Sequence, residues 1–180
     1  MEPHDEAELH VYGAGVRSLA ELVASRPDRS ALATLEVLNL HANALARIDG
    51  DALAPAAPRL ASLNLSSNAL ASMAGVGALT SLVALDLSSN RLRRIEGLAA
   101  LTSLQRLALA FNRIEALSGL VSAHGAPLRE LDLRGNRVGT LHELHFLDGL
   151  SALEVRALPR RARAAPAART TARRLSLIHI

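Results

Sequence analysis

The sequence predicts an α/β solenoid, with a parallel sheet on its concave face and short helical or irregular segments on its convex side. Three observations carry that expectation. The string LxxLxLxxN occurs five times, opening at Leu35, Leu60, Leu82, Leu104 and Leu128 and closing on Asn43, Asn68, Asn90, Asn112 and Asn136. Its starts lie 25, 22, 22 and 24 residues apart, so one supersecondary unit recurs along most of the chain. A composition of 49% hydrophobic residues with only 2% aromatics suits a leucine-built stack better than a globular core.

Each motif position has a physical reason. In the third repeat Leu85 and Leu87 fall on one side of a short strand and Asp86 on the other, because strand side chains alternate. One repeat cannot bury its apolar side alone, so neighbours stack around a shared core. The asparagines end the strands, where a side-chain amide can bond the main-chain groups that a turning backbone leaves unpaired. Apolar residues three apart then continue each repeat: Leu45 and Ile48, Leu70 and Met73, Leu92 and Ile95, Ile114 and Leu117, Val138 and Leu141. Gly97-Leu98 and Gly119-Leu120 follow in the best-formed repeats.

The elements take these places in order. Residues 1–10, acidic and without apolar spacing, read as disordered. Residues 11–30 read as an N-terminal cap, since Val16, Leu19 and Leu22 have the spacing of half a repeat and a stacked core needs its open end closed. Residues 31–155 hold the five full repeats and the start of a sixth. Asp51 to Pro58 fills the longer first interval with a short outer helical turn, and His124 to Pro127 does the same in the fourth.

The sixth repeat begins at Leu150, with Leu153 and Val155 in phase, but Leu158 and Pro159 stand where an Asn is due. Residues 156–180 therefore read as a basic tail foreign to the pattern. Its mid-motif onset has the look of a reading-frame break, and the final Leu175 to Ile180 that of a translated adaptor. The alternative is a genuine tail that binds anionic polymers by electrostatics. The charge is split accordingly, with thirteen arginines against seventeen acids up to Val155 and seven arginines after it.

Other classes are set aside on composition and motif. The chain has no cysteine, so neither a disulfide framework nor thiol chemistry is expected. The acidic start lacks the apolar core of a secretory signal, and no apolar run approaches the length of a membrane span. These features suggest an intracellular, soluble protein. No GxSxG, phosphate-cradling glycine loop or paired-carboxylate motif is present; Gly13 and Gly15 are only a fragment of a dinucleotide signature. No catalytic residue, cofactor or small-molecule substrate is expected. His142 and His145 are spaced HxxH, but without a third ligand they read as packing or surface residues and no metal is expected.

The repeats, with their 22-residue period and Ile or Leu in the convex positions, resemble the SDS22-like class of leucine-rich repeats from Leu32 to Val155. That class includes phosphatase regulators, dynein light chains, tubulin-folding cofactors, a spliceosomal protein and centrosomal proteins. Finer phrases are similar to the N-terminal repeats of the leucine-rich repeat and coiled-coil domain-containing centrosomal family. They are Leu38 to Asn43, Leu85 to Asn90, Leu117-Ser118-Gly119-Leu120 with His124-Gly125, Leu131-Asp132-Leu133, Leu141-His142 and Leu144-His145-Phe146-Leu147. The resemblance implies a protein-interaction scaffold at centrosome, centriole or cilium. A phosphatase-binding regulatory subunit and a ribonucleoprotein assembly factor are the alternatives. The family's long coiled coil has no counterpart in this chain.

The concave face is the expected partner-binding surface, for another protein and for neither membrane nor, unless the tail is genuine, nucleic acid. Its candidates are His41, Asn64, Asp86, Arg106, Glu130, Asp132 and Arg134, with Phe111 at the rim as an aromatic anchor beside charge. The competing view is that Asn64 and Asp86 are simply polar residues on a solvated sheet. Five strands about 4.8 Å apart span only roughly 20 Å, a small footprint beside the approximately 800 Å² per partner of a standard interface.

Overall fold

A computed structural model of the chain describes residues 7–26 and 30–157. Seven short strands follow one another: β1 (Glu8–His10), β2 (Val37–Asn39), β3 (Ser62–Asn64), β4 (Ala84–Asp86), β5 (Arg106–Ala108), β6 (Glu130–Asp132) and β7 (Glu154–Ala157). They form a single parallel sheet in chain order. The expected α/β solenoid is therefore borne out. Such a sheet spans roughly 29 Å along its ladder.

Register follows the leucines. Leu9, Leu38, Leu63, Leu85, Leu107, Leu131 and Val155 pair in one row. From Leu38 to Leu131 none of that row is more than 2% exposed. Leu40, Leu65, Leu87, Leu109 and Leu133, two positions on, are wholly buried, as alternation requires. Leu45, Leu70, Leu92, Ile114 and Val138 close the core from the convex side. Between β6 and β7 the register slips, Asp132 pairing with Ala157, at the point where the sequence period also stops.

The convex returns are helix α1 (Leu19–Ala24), α2 (Ser30–Ala33), α3 (Gly50–Leu53) and 3₁₀ turns at Val76–Ala78, Ser118–Ala123 and Leu141–Leu147. Ser18 caps α1, accepting from the Glu21 N–H at 3.3 Å, and donates at 2.8 Å to Asp49 of the next unit. The first long interval does carry a helical turn, α3, starting one residue before the expected stretch. In the fourth interval the turn lies at Ser118–Ala123, ahead of His124 to Pro127. Gly119 shows why a glycine precedes Leu120, because a Cβ there would stand 1.8 Å from the Ile95 carbonyl oxygen of the repeat before.

One boundary needs correction. Disorder was expected throughout residues 1–10, but Glu8–His10 is a strand paired with β2. The physical reason lies in Leu9 and Val11, which continue the two buried rows, although Ala14 stands where the other repeats have Asn. The cap thus begins with a strand and is a degenerate repeat. Residues 1–6 and 158–180 lie outside the described residues, and with them the expectations for the first residues and for most of the basic tail.

Candidate functional site

The strand-end asparagines bind each repeat to the one before. Asn68 Oδ1 accepts from the Leu45 N–H at 3.0 Å, while its Nδ2 donates to Leu40 O and Leu65 O, both at 3.0 Å. Asn90 and Asn112 repeat this geometry and are only 7% and 5% exposed. Asn136 does so at the C-terminal end, and Asn43 at the N-terminal end, with Val16 N–H and Val11 O. One amide thereby bonds main-chain groups of two repeats, and the N–H it accepts would otherwise be left unpaired.

The residue before each asparagine turns the chain through the left-handed region. Ala42, Ser67, Ser89 and Phe111 have φ of 56°, 57°, 56° and 56°, and Gly135 has 67°. For a bulky phenylalanine this conformation is strained. Phe111 is nonetheless 61% exposed, among the few large apolar side chains so placed. Its N–H donates to Arg134 O at 2.7 Å, and its ring lies against Gly135, where a Cβ would stand 2.5 Å from the ring edge.

On the concave face, a second polar column has a structural task that pattern reading missed. Asn39, Asn64, Asp86 and Asp132 each accept, through Oδ1, the N–H two residues on: His41 at 3.0 Å, Ser66 at 2.9 Å, Ser88 at 2.8 Å and Arg134 at 3.0 Å. These are side-chain turns that replace a strand bond where the ladder ends. Three of the candidates, Asn64, Asp86 and Asp132, are thus committed to their own backbone. The signal was present in the run of Asn, Asn, Asp and Asp two residues after the first strand position.

The remaining candidates divide between the two ends. At the N-terminal end Ser66 Oγ donates to Asn64 Oδ1 at 2.6 Å, so the 2.8 Å contact from His41 Nδ1 to that hydroxyl requires a proton on Nδ1. His41 itself is exposed. Beside it, Asn39 donates to Tyr12 OH at 3.3 Å, Tyr12 OH and His10 Nδ1 lie 2.9 Å apart, and the two rings stack at 5.6 Å. At the C-terminal end Arg106 and Glu130 are register partners on adjacent strands. Arg134 forks onto Asp132, Nη2 to Oδ2 at 2.6 Å and Nε to both oxygens at 3.0 Å. That hydrogen bonding, and then the carboxylate's charge, hold the guanidinium above its ordinary pKa. Arg106 and Arg134 are exposed and Glu130 is half-buried.

His142 and His145 come together in the last 3₁₀ turn with ring centroids 4.6 Å apart, and His145 packs on Phe146 at 3.8 Å. No group of three or more potential metal ligands occurs among the described residues, and no described helix is long and apolar enough to cross a membrane.

Against known proteins, residues 80–122 match the family model for leucine-rich repeats in two copies, and residues 126–144 match a single leucine-rich repeat. No curated protein matches by sequence. Among solved structures, an internalin, InlF, from Listeria monocytogenes superposes with a TM-score of 0.67 at 19% identity, over 96% of this chain and 45% of that one. Internalin C2 of the same organism gives 0.58 at 22% identity, over 97% and 79%. A leucine-rich repeat protein of Leptospira interrogans gives 0.58 at 23% identity, over 73% and 34%. The chain thus spans less than half the length of two of these three, and the likeness is one of fold.

Proposed function

Taking the chain as the leucine-rich repeat protein that its repeats and fold make it, we propose that it is a non-catalytic docking module. It holds another protein against its concave face. The observation that carries this reading is Phe111, whose ring stays exposed in a strained backbone conformation at the strand ends, its main-chain N–H on the Arg134 carbonyl at the charged end of the sheet. Rigid exposed aromatics beside arginine are the usual makeup of an interface hot spot. Around it, Arg106, Glu130 and Arg134 supply charge, with Asp132 fixing Arg134, and His41 adds a hydrogen-bonding edge at the far end; Asn64 and Asp86 help by shaping the strand ends.

The cellular setting we propose is a cytoplasmic scaffold of the centrosome or cilium. Its support is the sequence resemblance at Leu131-Asp132-Leu133 and Leu144-His145-Phe146-Leu147. Proximity labelling with the tagged chain, imaged against a centriole marker, tests it. Centriolar neighbours that disappear with Phe111→Ala are expected. Diffuse protein with phosphatase neighbours would replace this reading by the regulatory-subunit one, and nuclear ribonucleoprotein neighbours by that of an assembly factor.

A further inference from the structure

The position after each strand-end asparagine holds Ala44, Ala69, Arg91, Arg113 and Arg137. In each case its N–H donates to the equivalent carbonyl of the preceding unit: Ala44 to Val16, Ala69 to Leu45, Arg91 to Leu70, Arg113 to Leu92, Arg137 to Ile114. These five residues therefore form one column along the flank of the solenoid, outside the concave face. With strands about 4.8 Å apart, the three arginines are aligned within about 10 Å.

All three are exposed, and none forms an ion pair among the described residues, whereas Arg47 pairs with Asp49 and Arg134 with Asp132. Exposed Arg93 and Arg94 add charge on the same repeat, while Glu115 stands one column over, level with Arg93. Like charges aligned in adjacent register repel one another. The fold has no need of them, because alanine occupies the same backbone position in the first two repeats.

We propose that Arg91, Arg113 and Arg137 form a docking stripe for an acidic protein segment. A guanidinium presents a planar fork that matches a carboxylate with two parallel hydrogen bonds. Charge favours a short acidic peptide over a nucleic acid. The stripe is only three arginines and about 10 Å long, which matches a short run of carboxylates but offers a long phosphate backbone few contacts. The stripe is separate from the concave face and does not depend on the reading given for it.

The test is fluorescence anisotropy of a fluorescein-labelled glutamate-rich peptide titrated with the full chain at low and at physiological ionic strength. Binding that weakens with salt is expected. It falls by about tenfold or more in R91A/R113A/R137A, at the modest contribution typical of exposed pairs, with an unchanged or raised melting temperature. In R160A/R161A/R163A, which removes basic charge from the tail, binding stays at the level of the unaltered chain. Three results would overturn the proposal: no binding by the unaltered chain, equal binding by the stripe variant, or loss through the tail variant alone. A single-stranded oligonucleotide that binds more tightly and loses its affinity through the same three arginines would overturn it in favour of nucleic acid.

Discussion

The repeats built on β2 and β3 and those built on β4, β5 and β6 have the same interior and different surfaces. Inside, Leu38 and Leu63 are as buried as Leu85, Leu107 and Leu131, and each repeat ends on its bridging asparagine. Outside, the position before that asparagine is Ala42 and Ser67 in the first group and Ser89, Phe111 and Gly135 in the second, and the position after it passes from alanine to arginine. The concave face changes as well, from a hydrogen-bonded set of Tyr12, Asn39, His41 and Ser66 to Arg106, Glu130, Asp132 and Arg134. A stacked core demands one shape from every repeat, so what distinguishes this chain is written in the columns the core does not use. They concentrate charge and the exposed aromatic in the C-terminal half.

The sharpest way to break the claim of a common interior is to remove its polar bridge at the centre and at the end. Asn112→Ala leaves the buried Leu92 N–H without an acceptor and takes one of two amide donors from the carbonyls of Leu87 and Leu109, which keep Asn90 and Asn136, and should cost about 3 kcal/mol. Asn43→Ala, half-buried and open to water, should cost about 1 kcal/mol. Urea unfolding midpoints measure both, and equal losses would mean that the asparagines do not act through burial. Next in size is Gly119→Ala, whose new Cβ meets the Ile95 carbonyl oxygen and should cost about 2 kcal/mol. Gly125→Ala, with nothing within 4 Å, should change stability by less than about 0.5 kcal/mol.

Much of this architecture was legible because LxxLxLxxN names buried positions, and burial repeats with the period of the stack. The asparagine positions and the strands β2 to β6 follow from it directly. Strand β1 was hidden because three of its four signals are altered, with Glu6 and Val11 in leucine positions and Ala14 in the asparagine position. The partner role of Asn64, Asp86 and Asp132 was read from exposure alone, which does not reveal that a short polar side chain bonds its own backbone two residues on. The left-handed turn at Phe111 was equally invisible, since its column accepts Ala, Ser, Phe and Gly.

Substitution at Phe111 sharpens the contrast at the surface. Phe111→Gly removes a side chain from a left-handed position and should raise stability by roughly 1 kcal/mol or more, while abolishing the proposed anchor. Thermal unfolding read beside partner labelling separates the two effects, and a stability loss would show that the ring's contact with Gly135 outweighs the strain.

The smallest effect concerns the one interruption in the capping column. Asn39, Asn64, Asp86 and Asp132 each receive an N–H two residues on, but the fourth repeat has Ala108 in this column, and the N–H of buried Ala110 meets no side-chain oxygen among the described residues. Ala108→Asn restores the acceptor without adding a third carboxylate between Asp86 and Asp132, its register neighbours on either side. A gain of about 0.5–1 kcal/mol is expected, the low end of what a local side-chain cap contributes. Ala108→Asp should gain less, because like charges opposed across strands repel. If both variants lose stability in urea titrations, the column is not a set of caps but a matter of shape, and the polar residues of the first repeats would return to consideration as partner contacts.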